Sequence, residues 1–286
     1  MNIDQNHISS FNGKYQDEHS REFDFISEKF TKTGVDVTGI IKNLEGLQIA
    51  IPSWALGSGG TRFGRFSIGG QPRNLEEKIE DIGLLHSLCQ MAGKISLHIP
   101  WDIPGNSDHI KALAKDAHLE IDAMNSNTFQ DQSDQDLSYK YGSLSHTDVS
   151  VRNQAIDHNK TVIDYGKELG SKSLTVWLAD GSNHPGQSNM SRALNRTADS
   201  LAQIYEYMPA DWSLFIEYKP FEPYFYSTVI PDWGTSFLLA SETGDRAYTL
   251  VDLGHHLPNT NIEQIVGNLI SRGKLGGFHF NDSKYA

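Results

Sequence analysis

The sequence predicts an α/β fold of the (β/α)8 barrel type, and three observations lead there. Seven short apolar runs are spaced along residues 47–280. Amphipathic helical patterns fall between them. Residues able to bind metal ions or move protons close several of these runs. Strand–helix alternation indicates a parallel sheet. Polar residues at many strand ends favour a barrel over an open doubly wound sheet, because barrel sites draw on many strand ends.

Residues 1–45 read as a polar, peripheral helical extension. Phe23, Ile26 and Phe30, then Val35, Val37, Ile40 and Ile41, have the spacing of one or two amphipathic helices. Residues 46–286 then form the barrel domain. Its strands are predicted at Leu47–Pro52, Lys94–Ile99, Leu119–Met124, Ser173–Leu178, Leu214–Lys219, Tyr248–Leu253 and Leu275–Phe280. They are mostly apolar on both faces, as covered parallel strands are.

Between them, Leu75, Ile79, Ile82, Leu85, Leu88 and Cys89 follow a helical stripe, with Cys89 expected as a small core residue. Ile156, Ile163, Gly166 and Leu169 form a second stripe, ended by Gly170 as a C′ glycine. Leu194, Ala198, Leu201, Ile204 and Met208 form a third. Ile262, Ile265, Val266 and Leu269 form a fourth, opened by a Thr260-x-x-Glu263 capping box and closed near Gly273.

Composition narrows the function. A chain of 286 residues with 38% hydrophobic content can bury one large core. A net charge of −12 makes it a poor match for phosphate backbones, so no nucleic-acid partner is expected. The single cysteine excludes an intrachain disulfide. The first residues lack the basic and apolar segments of a signal peptide. No apolar run approaches the roughly 18 residues of a membrane span. A cytoplasmic enzyme with a small neutral substrate is expected. Gly57-Ser58-Gly59-Gly60-Thr61-Arg62 lacks Rossmann spacing and a P-loop lysine, and reads as an active-site loop.

The strand ends carry the chemistry. In order they present Ser53-Trp54; His98, Trp101 and Asp102; Asn125 to Phe129; Trp177 and Asp180; Glu217 and Lys219; Asp252 and His255; and His279, Asn281 and Asp282. Carboxylates and imidazoles without thiolates suit a hard or borderline divalent ion such as Mn²⁺, Mg²⁺ or Co²⁺. Lys219, two residues after Glu217, shares its face. There it either stabilises developing charge and shuttles a proton or holds Glu217 in an ion pair. Trp54, Phe63, Trp101, Phe129 and Trp177 are either a flat wall for sugar C–H faces or ordinary core. His98 is either an acid/base near the substrate ring or a structural histidine.

The segments IPSWALGSGGTRFGRF (51–66), SLHIPWD (96–102), DAMNSNTF (122–129), SYKYGSLSHT (138–147), LTVWLADGSNHPGQSN (174–189), VDLGHHLPNTNIE (251–263) and LGGFHFNDSKY (275–285) resemble the broad-specificity L-rhamnose isomerases of pseudomonads. The likeness is colinear from about residue 45 onward. It implies a (β/α)8 barrel, usually tetrameric, that interconverts aldoses and ketoses with two divalent ions, typically Mn²⁺. Glu217, Asp252 and His279 match the ligands of the first ion, and His255 a ligand of the second. Lys219 matches the lysine beside the first ligand and His98 the histidine linked to ring opening. Trp54, Phe63, Trp101, Phe129 and Trp177 match the pocket wall.

In that family two further aspartates follow the position of Ala286, and another comes from an eighth strand. The resemblance therefore implies that strand eight and its helix are absent here, leaving three of four ligands at the first ion and one at the second. Weak or absent turnover is expected of these residues alone. The alternatives are a non-catalytic remnant of that enzyme and a keto-sugar 3-epimerase.

Overall fold

The computed structural model describes residues 4–56, 60–61, 64–65, 69–183, 186–222 and 225–281. Seven strands form one sheet: β1 (Ala50–Pro52), β2 (Lys94–Ile99), β3 (Glu120–Ser126), β4 (Ser173–Val176), β5 (Ser213–Glu217), β6 (Ala247–Asp252) and β7 (Leu275–His279). Their spatial order is their sequence order, and every neighbouring pair is parallel. Helices cover the connections, which is the winding of a (β/α) barrel. All seven predicted strands are present, with ends shifted by up to three residues. The largest shift is at β1, where exposed Leu47 and Ile49 lie outside the strand.

Three helices precede the sheet: α1 (Gln5–Gly13), α2 (Gln16–Thr31) and α3 (Val37–Glu45). Phe23, Phe25, Ile26 and Phe30 of α2 are all exposed. Six more alternate with the strands: α4 (Leu75–Cys89), α5 (Ser107–Asp116), α6 (Val149–Leu169), α7 (Met190–Tyr207), α8 (Trp233–Thr243) and α9 (Ile262–Ser271). Two of these, α5 and α8, escaped the periodicity reading. Helix α5 buries only Ile110 and Ala114, too few apolar positions to make a visible stripe. Their caps were legible: Asn106 accepts from His109 N–H at 3.0 Å, and Asp232 from Thr235 N–H at 2.8 Å.

Two local expectations are corrected. Helix α9 is capped by Asn261, which accepts from Gln264 N–H at 2.9 Å, and Thr260 lies outside it. Asparagine outcompetes the neighbouring threonine because its carbonyl reaches the free N–H one residue further on. Cys89 is exposed, as are Leu85 and Leu88. Leu75, Ile79 and Ile82 bury α4, and its last turns leave the core.

The core lies between the sheet and its helices. Ile95, Leu97, Met124, Leu174, Leu214 and Ile216 from the strands meet Ile79, Ile163 and Leu201 from the helices. Gly166 shows how tight this is: a Cβ there would lie 2.4 Å from the Trp212 ring and 2.7 Å from Met124. Gly170 adopts φ 90° and ends α6 as predicted. A short antiparallel sheet (Gly181–Ser182, Tyr226–Thr228, Phe221–Glu222) stands beyond the ends of β4 and β5.

Candidate metal centre and its aromatic wall

Strand register decides which side chains meet. Leu250 pairs with Glu217, and Asp252 lies two residues further along β6. Two residues return a strand to the same face, so both carboxylates point the same way. Asp252 in turn pairs with His279. Their ligand atoms all lie within 4.8 Å of one another. His279 Nδ1 is 3.2 Å from Glu217 Oε1 and 3.6 Å from Asp252 Oδ2. His255 faces the same pair, with Nδ1 3.2 Å from Glu217 Oε1 and Nε2 3.7 Å from Asp252 Oδ2. Its Nδ1 also lies 3.0 Å from the Tyr218 carbonyl.

Both carboxylates are buried. Burial raises the Glu217 carboxyl, but the His279 and His255 charges and hydrogen bonds outweigh it and hold it well below the usual carboxylate range. Burial lowers His279, yet Glu217 and Asp252 override it and push its imidazolium up to about 10. In the protein alone a proton on His279 thus offsets part of the negative charge of the two carboxylates. Two carboxylate oxygens and an imidazole converging on that space are a donor set for a hard or borderline divalent cation.

Lys219 follows β5, and its Nζ lies 3.0 Å from Glu222 Oε2. Glu222 is buried in the short antiparallel sheet. The lysine's ion pair is therefore with Glu222, not with Glu217. Sequence reasoning missed Glu222, although a carboxylate three residues beyond Lys219 across Pro220 was a readable signal.

The rings form a continuous row beside this cluster. Trp54 meets His98 edge-on at 5.2 Å, and His98 stacks on Trp101 at 4.0 Å. Phe129 lies 5.7 Å from His98, 6.2 Å from Trp101 and 4.6 Å from Trp177. Lys219 Nζ sits 5.7 Å from the Trp177 ring centre and joins the row to the charged cluster. Phe63 and Asp282 lie outside the described residues. Asp180 does not face the cluster's ligands. It accepts four hydrogen bonds from the backbone and hydroxyls of Ser143 and Ser145, at 2.7–3.0 Å, and tethers that loop.

Behind the wall sits His158 of α6, also missed in the sequence. Its Nε2 accepts from Asn127 N–H at 3.3 Å, and it bonds the Ile99 backbone, so one ring ties the ends of β2 and β3. Burial pulls its imidazole down to about 4.

Fold and site define a class: a parallel (β/α) barrel with a carboxylate–histidine cluster at the carboxyl ends of its strands. The chain belongs to the Xylose isomerase-like TIM barrel family, whose sequence profile matches residues 89–286. A probable sugar isomerase of Mesorhizobium japonicum is 53% identical over 265 residues, covering 93% of this chain and 61% of that protein. One of Rhizobium meliloti is 49% identical over 278 residues, covering 97% and 65%. The chain thus spans less than two thirds of the length of these relatives. Among solved structures, an L-ribulose 3-epimerase aligns with TM-score 0.58 at 19% identity, over 83% of this chain and 70% of its own. A D-allulose 3-epimerase from Methylomonas sp. aligns with TM-score 0.60 at 13% identity, over 83% and 73%. These two likenesses establish the fold alone. No helix among the described residues is long and apolar enough to cross a membrane.

Proposed function

We propose that the protein is a metal-dependent aldose–ketose isomerase, moving hydrogen between C1 and C2 of a sugar, with L-rhamnose and L-rhamnulose as the reference pair. The observation that carries this is the convergence of Glu217, Asp252 and His279 beside a row of aromatic rings. The high identity to probable sugar isomerases supports it.

Glu217, Asp252 and His279 would hold a divalent ion, for which Mn²⁺ is our choice, with His255 at hand for a second. When bound, the ion supplies Lewis-acid polarisation of the sugar oxygens. The chain does the rest. Trp54, Trp101, Phe129 and Trp177 present flat apolar faces to sugar C–H bonds and exclude water. His98 offers its imidazole to the ring oxygen. Lys219, steadied by Glu222, places a positive charge where negative charge develops on the substrate.

The test is an assay of the 286-residue chain with Mn²⁺ and L-rhamnose, with products identified by NMR. Weak or no formation of L-rhamnulose is expected from these residues alone, and full turnover from a chain extended to the length of its relatives. Inversion at C3 of a ketose, with the carbonyl left in place, would establish the 3-epimerase reading instead. If the chain is silent, the assay is repeated with one extended to the full length of its relatives. Silence there as well sinks the isomerase reading.

A further inference from the structure

The turn that carries His98 and Trp101 is closed by a carboxylate with no role so far. Asp102 is 1% exposed. Its Oδ2 accepts the His98 backbone N–H at 2.7 Å and the Ser53 hydroxyl. Its Oδ1 lies 2.5 Å from the Lys78 ammonium. Asp102 N–H donates to the His98 carbonyl at 2.9 Å, so residues 98 and 102 are tied in both directions. Lys78 is 4% exposed on α4, in the same turns that bury Leu75, Ile79 and Ile82. One carboxylate thus joins the turn after β1, the turn after β2, and α4.

A buried ion pair is a poor way to stabilise a core. Desolvating each ion costs several kcal/mol, and apolar side chains of similar size often serve as well or better. What the pair supplies is direction. Both oxygens of Asp102 are committed to fixed donors, which leaves the 98–102 turn one arrangement. In it the His98 imidazole lies 20° from parallel to the Trp101 ring.

We propose that Lys78 and Asp102 are positioning residues that hold His98 and Trp101 as a rigid wall of the sugar site. The sugar in that statement rests on the isomerase reading, whereas the positioning does not. Neither residue touches the reacting atoms. They act through the turn, as groups that lock a binding constellation do.

The test compares two double variants. Lys78→Met with Asp102→Leu removes the charges and the acceptor. Lys78→Met with Asp102→Asn removes the charges but keeps an oxygen facing His98 N–H and Ser53. The readout is NMR of isotope-labelled histidine, with the His98 ring signal assigned by its loss in His98→Gln. Stacking on Trp101 shifts the His98 ring protons upfield in the parent. The Leu variant is expected to lose that shift and the Asn variant to keep it, with Mn²⁺ binding the same in both. A Leu variant that retains the full shift overturns the proposal. Should that variant not fold, Ser53→Ala with Lys78→Gln loosens the carboxylate from two sides and is judged by the same shift. Where turnover is present, the Leu variant loses about 10²-fold in kcat/KM, the scale of a small misplacement at a reacting centre. Silence of the chain extended to the length of its relatives counts against the isomerase reading and leaves the ring shift to decide the positioning claim.

Discussion

The strand ends divide into two halves built on opposite principles. From β1 to β4 they carry rings: Trp54, His98, Trp101, Phe129 and Trp177 touch in series. From β5 to β7 they carry charge: Glu217, Asp252, His255 and His279 lie within ion-pair distance. The ring half is held by packing, and two of its buried polar atoms, Trp177 Nε1 and Ser126 Oγ, have no hydrogen-bond partner among the described residues. The charge of the other half is offset only in part within the protein, by a proton on His279. One half is an apolar wall, and the other has the donors of a cation site. Lys219 sits between them, paired with Glu222 and lying near Trp177.

Variants that break one half and spare the other test this division. The largest effect is expected from Phe129→Ala, since Phe129 is buried and touches three other rings. It should lower stability by about 3–5 kcal/mol, read by urea denaturation. Mn²⁺ affinity of the folded protein should stay as it was. Glu217→Gln should do the reverse. It removes the carboxylate that both histidines face. Because even outer partners of metal ligands are worth 10–100-fold, Mn²⁺ affinity by EPR titration should fall about 10²-fold or more. The fluorescence of the tryptophan row should not change. If it moved, the halves would be one coupled unit.

A third prediction concerns pH and belongs to the ring half. An unfolded histidine takes up a proton near 6.5, but His158 in the fold resists until about 4. Between those values the unfolded chain holds more protons, so stability falls as pH drops from 6.5 to 4. Allowing for its partial exposure, the loss is on the order of 2 kcal/mol. His158→Gln should flatten that slope in denaturation curves at successive pH values. An unchanged slope would mean that His158 does not tie β2 to β3 as a neutral ring. The smallest effect is expected at exposed Cys89, the last residue of α4. Cys89→Ser should change stability by less than about 0.5 kcal/mol in the same denaturation assay.

Much of this was readable in the chain. Short doubly apolar runs announce covered parallel strands, and all seven are there. Helices with strong stripes, such as α6 and α7, were equally plain, whereas α5 and α8 bury too few residues to show periodicity. The candidate ligands were legible because each ends an apolar run. Lys78 and His158 were not, for a common reason. Each is polar within a segment whose pattern reads as helix, and its partner lies on another element.

By itself the sequence determined the alternation of strands and helices and the residue types at the strand ends. Local preference and hydrophobic period act within a few residues, so they can be read from the chain directly. Only the tertiary structure decided that Leu250 pairs with Glu217, that Asp252 pairs with His279, and that one buried carboxylate joins two strand ends to a helix. Register depends on how separate strands settle against a shared core. A slip of one residue would turn every one of these side chains to the other face.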